Sequence, residues 1–497
     1  MLPEGHTGSS FFLHVLKEAV AAFPAVLERA QLPDDAKQWK REYREALVRF
    51  EAARVASEQR VAIASLIAGR TQAQLGYASE ASEQPRQLLS EHLAEPATPP
   101  ALEVAAPKGL PAGLVPAVPF EGRVYHRREI LELCERLVRE HQMTQAAFAA
   151  ARFIIEHIEQ RGGTLDLSGE RFALLGAGAE LAPTPMLLRA GATVLWVDLA
   201  EPRTRIGPQD LAGDLLIAPA ARNLLHAPRE VAAALTRFAA DGPIHVGLFA
   251  YAAGASQEWR LGAAMNAIVR QLAPELVRSL ALFVSPTMPA SVQPEDAAAA
   301  DAKLARRPRW QSLGRGLGAL PTPGRLEQDG ACVSRSIVSI QGLSYQAAQY
   351  VSKVCAAETF AVYGLHGLRE GAAPRPITVS ANVAGITNTR SLAHPLFQAA
   401  FIGAHSFDVR IFQPETTRAL NGLLVLSDLL NPASPCAAAV QPGRPADKAR
   451  ALLSQQVHGG IYSLPYELEA AIRVAAVLGM ARRPSVLWSS PPPPAPA

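Results

Sequence analysis

The chain has 497 residues, 48 Lys+Arg against 45 Asp+Glu and a formal charge of +3. Hydrophobic residues make up 49% and charged ones 19%, so a large core is available and global disorder is excluded. The small net charge, without a long Lys/Arg run, argues against a nucleic-acid partner. The four cysteines lie far apart with no CxxC, which argues against a disulfide framework or a metal site.

In chain order, the first region, residues 1–75, reads as helical. Its most apolar stretch, 11–27, contains His14, Lys17, Glu18 and Pro24, which fits neither a signal h-region nor a membrane span. A cytoplasmic protein that engages no membrane is the expectation. Trp39, Tyr43, Leu47 and Phe50 recur at helical intervals, a stripe read as packing rather than as a cofactor box. These helices are expected to pack on the rest of the chain or on a second subunit, and a homo-oligomer is anticipated. Residues 76–125 turn to Pro and Ala, a linker or extended wrap. A helical lead-in follows at 126–163, closing on Gly162-Gly163.

From residue 164 short apolar runs alternate with helical patterns, as in an α/β domain built on a parallel sheet. The expected strands are 172–175, 193–197, 214–217, 244–250, 280–284, 377–381 and 408–411. The domain covers 164–285 and 332–490, interrupted by a Pro-, Ala- and Arg-rich insertion at 286–331 read as a lid or oligomer arm. The proline-rich tail, 491–497, is expected to be disordered.

The sharpest local signal is the run Leu175-Gly176-Ala177-Gly178-Ala179-Glu180, between a buried strand and a helix that opens with Pro183 and Pro185. Gly176 permits a tight turn, Gly178 lets backbone approach a pyrophosphate, and a helix N-terminus supplies N–H donors. Asp198 falls about 20 residues on, where a carboxylate can accept from ribose hydroxyls. The third glycine position holds Leu181, or Ala182 in a longer spacing, and Glu180 would repel a pyrophosphate unless it turns aside. Asp198 favours NAD, while Arg203 and Arg205 keep NADP open.

With that unit placed, the region 171–430 resembles the short-chain dehydrogenase/reductase family, which implies an α/β, doubly wound parallel (Rossmann-type) sheet. The segment 211–215 looks like the one where that family sets an Asp, here Asp214, against adenine. Residues 248–254, with Ala252 and Gly254, are similar to its Asn-Asn-Ala-Gly signature without either asparagine. Residues 378–389 look like its Pro-Gly-x-x-x-Thr turn, with Ala384 in place of the proline and Thr387 in the nicotinamide-contacting stretch. The family also needs a serine after the fifth strand, here Ser285, and a Tyr-x-x-x-Lys helix. Tyr345, Tyr350 and Lys353 are the candidates, at spacings of eight and three where the family has four.

The resemblance implies hydride transfer between NAD(P) and the carbonyl or alcohol of a small-molecule substrate. A tyrosine would move the proton and Ser285 would orient the oxygen, under the insertion and the C-terminal helices. His458, in a His-Gly-Gly turn, is flagged as a substrate-side residue, and His405, Asp408 and Glu415 as possible cleft residues. An S-adenosylmethionine-dependent methyltransferase uses a similar glycine turn and acidic residue, and a seventh, antiparallel strand would point to it. A non-catalytic Rossmann-type protein is the third reading.

Overall fold

The computed structural model describes residues 2–3, 5–78, 87–252, 256–368, 371, 373–388, 392, 394–440 and 443–488. The expected tail 491–497 and Gly254 therefore lie outside the described residues.

The apolar runs form one seven-stranded sheet: β1 (Glu103–Ala106), β2 (Arg171–Leu175), β3 (Thr193–Val197), β4 (Leu215–Ile217), β5 (Ile244–Leu248), β6 (Val277–Val284) and β7 (Thr378–Val383). In space they run β7-β6-β5-β2-β3-β4-β1. All neighbours are parallel except β1, which pairs antiparallel with β4. The chain moves outward from β2 in one direction through β3 and β4, then returns to β2's other side with β5, so the strand order reverses between β2 and β5.

The side chains of each strand divide between two cores. Ala173, Leu175, Val246, Leu280 and Leu282 enter one, while Phe172, Leu174, Val194, Trp196 and Phe283 enter the other. Burial on both faces accounts for the mostly apolar runs; the polar residues of β7, Ser380 and Asn382, are buried and hydrogen-bonded to each other. The first core also holds residues of helices α1 (Gly8–Ala22), α2 (Ala36–Ala56) and α3 (Arg60–Gln74) from the N-terminal region. The second is covered by α4 (Arg128–Arg139), α5 (Gln145–Glu159), α6 (Thr184–Arg189) and others. On the first side, α7 (Pro228–Phe238) and α8 (Gln257–Gln271) lie against the sheet. Beside them is α9, a continuous rod made of Gly342–Ala347, a π-helical stretch Ala348–Cys355 and Ala356–Tyr363.

The N-terminal helices are joined to α9 by buried charge. Arg54 is fully buried; its guanidinium donates to Glu51 Oε2 at 2.8 Å and to Glu358 Oε2 at 2.6 Å. Arg60 donates to Glu358 Oε1 at 2.6 Å, and the Tyr350 hydroxyl donates to Glu51 Oε2 at 2.6 Å. Burial opposes ionisation of Glu358, yet Arg54 and Arg60 hold its carboxyl below the usual range. Trp39, Leu47 and Phe50 are fully buried, as a packing stripe requires. Among the described residues no single helix is long and apolar enough to cross a membrane, although α1 with the following Pro24–Ala30 segment passes as a bent pair on length and composition.

Several sequence expectations need correction. The run 408–411 is not a strand: its neighbour Phe412 makes only an isolated bridge to Thr387, and Arg410 N donates to the Gly459 carbonyl. The seventh strand is β1, inside the stretch read as linker. That stretch also carries a helix (Leu89–Ala94) and a hairpin (Ala117–Phe120 with Arg123–His126). The stretch 286–331 carries two helices, Pro294–Ala305 and Arg309–Gly316. They dock on the C-terminal loops, where Lys303 Nζ donates to Ser463 Oγ at 2.8 Å and Tyr466 donates to Gln311 at 3.0 Å.

Removing one member of a fully buried ion cluster strands the others. Arg54→Met is expected to destabilise the protein by about 3–5 kcal/mol in urea unfolding. Arg29→Ala, which deletes an exposed pair with Asp329, should change stability by less than about 1 kcal/mol.

Candidate functional site

A cavity of about 1690 Å³ opens at the carboxyl ends of β2, β3, β5, β6 and β7, where the strand order reverses. It exceeds the roughly 300–1,000 Å³ of ordinary small-molecule pockets. Gly176, Gly178, Glu180, Asp198, Ala252, Ser285, Tyr345, Lys353, Ala384 and Thr387 all line it.

At one end sits the glycine turn. Gly176 has φ +89°, and a Cβ there would lie 2.1 Å from Ala250 N, so only glycine fits between β2 and the loop after β5. Asp198 Oδ2 accepts from Gly178 N–H at 2.9 Å and Oδ1 from Ala200 N–H at 2.9 Å. Each oxygen retains a lone pair that could take a ligand hydroxyl. Arg222 fastens the loop after β3 through the carbonyls of Asp198 and Leu199.

The helix expected to point at a phosphate does not start at the glycines. Residues 176–183 form a loop, and α6 is only six residues long with Pro185 in its first turn. Thr184 Oγ1 donates instead to the Ala177 carbonyl at 2.6 Å. Positive charge comes from elsewhere: Arg418, on α11 (Pro414–Leu430), lines the cavity and donates to the Glu180 carbonyl at 3.3 Å. Arg205 also lines the cavity, whereas Arg203 does not.

At the other end is a hydroxyl cluster. Ser285, just past β6, lies with its Oγ 2.8 Å from Thr287 Oγ1, and the Tyr345 phenol lies beside this pair. Thr287 Oγ1 donates to Gln341 Oε1 at 2.7 Å. Burial raises the Tyr345 pKa, the Ser285 contact opposes this, and the Glu258 charge adds to the rise.

The π-helical stretch resolves the irregular Tyr/Lys spacing. Residues eight apart stand about 80° off a common face in an α-helix. The wider π turn changes that phase, and Tyr345, Gln349 and Lys353 all face the cavity. Gln349 Oε1 accepts from Ser285 N–H at 3.0 Å, and its Nε2 donates to Glu258 Oε1 at 3.3 Å. Lys353 Nζ lies 3.9 Å from the same Glu258 oxygen, and Glu258 Oε2 accepts from Ala252 N–H at 3.2 Å. Burial pushes the Glu258 carboxyl up to about 7 against the pull of Lys353. It also lowers the Lys353 ammonium, which Glu258 partly offsets.

Other expected residues fall elsewhere. Tyr350 is fully buried in the Arg54–Glu51 cluster, on α9 but not in the cavity lining. Asp214 lies at the amino end of β4, away from the carboxyl ends that frame the cavity; its carboxylate accepts from Lys108 N–H, and it does not line the cavity. His458 is fully buried, 3.1 Å from Asp296, and its Gly-Gly turn packs against the backbone of 408–410 rather than facing a ligand. His405 and Asp408 lie outside the lining and Glu415 within it. Of the stretch 286–331 only Pro286 and Thr287 reach the cavity, so its helices do not cover it. Thr387 Oγ1 is engaged with the Gly385 carbonyl at 2.9 Å and Thr417 at 2.8 Å. Thr287, Gln349, Glu258 and Arg418 line the candidate site and were missed by pattern; Gln349 stands four residues after Tyr345, where a Tyr-x-x-x-Lys pattern has its lysine.

No protein-family model matches this chain, and no curated protein matches it.

A carboxyl whose folded pKa is raised contributes stability below its unfolded value and loses it as pH rises through the folded one. Wild type should therefore lose stability between about pH 5 and about pH 8 relative to Glu258→Gln, read as the difference in thermal midpoints. A pH-independent difference would contradict the buried Glu258 assignment.

Proposed function

We propose that the protein is an NAD(P)-dependent oxidoreductase of divergent short-chain dehydrogenase type that acts on a carbonyl or alcohol of a small-molecule substrate. The observation that carries this reading is one cavity joining the Gly176–Asp198 turn to the Ser285–Thr287–Tyr345 hydroxyls. Counted along the six parallel strands, the sheet order is 3-2-1-4-5-6, which supports a doubly wound Rossmann-type sheet with a ligand at its switch point.

The residues fit a dinucleotide. Asp198 is positioned for ribose hydroxyls, and Arg418 offsets the lost helix dipole near a pyrophosphate. Residues 384–387 close the far side beside β7. Asp198 disfavours a 2′-phosphate, so NAD is preferred, with Arg205 as the group that would favour NADP. When bound, the nicotinamide supplies or accepts the hydride.

The chain's own groups would handle the proton. Tyr345, in the cavity beside Ser285, is the group that would exchange the proton with the carbonyl or alcohol oxygen. Ser285 and Thr287 orient that oxygen. Gln349 ties the Ser285 backbone N–H to Glu258, which pairs with Lys353, and so holds the serine in place. The sheet's seventh strand, β1, is antiparallel, the feature that points to a methyltransferase, but it pairs with β4, and the strand beyond β6 is parallel, so methyl transfer stands as the second reading.

Calorimetric titration with NADH, NADPH and S-adenosylmethionine tests the proposal. Micromolar NADH affinity, weakened at least tenfold by Asp198→Ala, is the expected outcome. Three flat titrations would favour a non-catalytic protein, and S-adenosylmethionine binding alone would favour methyl transfer. Tyr345→Phe should retain NADH affinity while lowering turnover of a carbonyl substrate by about 10²-fold or more.

A further inference from the structure

Beyond the hydroxyl cluster the same cavity continues into an apolar lobe. Its walls come from α10 (Pro395–Ala404), α12 (Leu468–Arg482) and the loops that precede and follow them. Phe397, Phe401, Phe407, Leu468 and Ile472 line it. From 397 to 411 and from 464 to 475, every lining side chain is a hydrocarbon. Glu415 and Arg418, the charged lining residues of α11, lie beside the glycine turn, Glu258 and Lys353 stand behind the hydroxyl cluster, and Lys40 reaches the cavity from α2.

Two observations separate this lobe from ordinary core. Phe397, Phe401 and Ile472 line it yet are only half-buried, where core positions of that size would be fully covered. The helices behind it are already in close backbone contact: a Cβ on Gly403 would lie 1.9 Å from the Ala475 carbonyl oxygen, and one on Gly479 would lie 1.8 Å from that of Ala399. The walls therefore cannot collapse inward by tighter pairing of α10 and α12, and the space is preformed. The turn 338–343 joins the lobe to the hydroxyls: Ile340 and Leu343 line the cavity while Gln341 accepts from Thr287.

We infer that the lobe binds the apolar body of the substrate, a carbonyl compound whose hydrocarbon part is a long alkyl chain or a fused-ring system. The carbonyl end of this inference rests on the oxidoreductase reading; the hydrocarbon end rests on the lobe alone. Phe412, by contrast, is buried core and contributes nothing to the lining.

The test measures affinity, without cofactor or turnover, for alkan-2-ones of increasing length and for the bicyclic ketone 1-decalone. Affinity should rise about fourfold per added methylene until the lobe is filled. Phe401→Gln and Ile472→Gln, both at half-buried positions, should flatten that dependence without affecting NADH affinity. If 1-decalone gains over butan-2-one while the alkanones do not, the hydrocarbon is a ring system; the reverse assigns a chain. A flat series with 1-decalone no tighter than butan-2-one would overturn the inference, whatever the NADH titration shows. A steep series beside a flat NADH titration would uphold the lobe and remove the oxidoreductase reading.

Discussion

The architecture of the site depends on how α9 is held. On one side Tyr350 and Glu358 are locked to Glu51, Arg54 and Arg60 of the N-terminal helices, all within a dry interior. Two arginines against two glutamates balance in charge, and each guanidinium is satisfied by carboxylate or phenol oxygen. Such a cluster gains little over a hydrophobic core of equal volume, but it tolerates few alternative geometries. With Tyr350 fixed toward the N-terminal helices, Tyr345, Gln349 and Lys353 are left to face the cavity. The N-terminal region thus supports the site through α9, and Gly8 and Ser9 of α1 with Lys40 and Tyr43 of α2 line the cavity directly.

The two ends of the cavity follow different physical rules. At the glycine turn, close backbone approach dominates: Gly176 has no alternative, and Asp198 organises the loop by accepting two backbone N–H groups. At the hydroxyl end, desolvation dominates. Tyr345 and Glu258 are both raised by burial, while Lys353 is lowered. A lysine that partners a carboxylate cannot lend its full charge to a phenol. Burial and this ion pair therefore both set the electrostatics around Tyr345.

Six strands were legible because each centres on a short, mostly buried run rich in Val, Leu, Ile and Ala, bounded by turn residues. The seventh, Glu103–Ala106, was not, since two of its four residues are exposed and prolines crowd the surrounding sequence. The run 408–411 carried an apolar pattern without becoming a strand, because its backbone pairs with isolated loop residues beyond β7. Glycine positions and Ser285 could be read from local spacing. The Tyr/Lys relation could not, because a π-helical stretch alters the phase of the helix and no residue pattern announces it. Asp214 was misplaced by its position relative to one short strand: it precedes β4 and so falls at that strand's amino end, away from the cavity.

The central claim is that a dinucleotide spans the cavity from the glycine turn to the loop after β7. Amide hydrogen exchange with and without saturating NADH addresses it directly. The account predicts added protection both at 176–182 and at 384–388, with none at the amino-terminal strand edge around Asp214. Protection confined to one of the two segments, or absent from both, would contradict it.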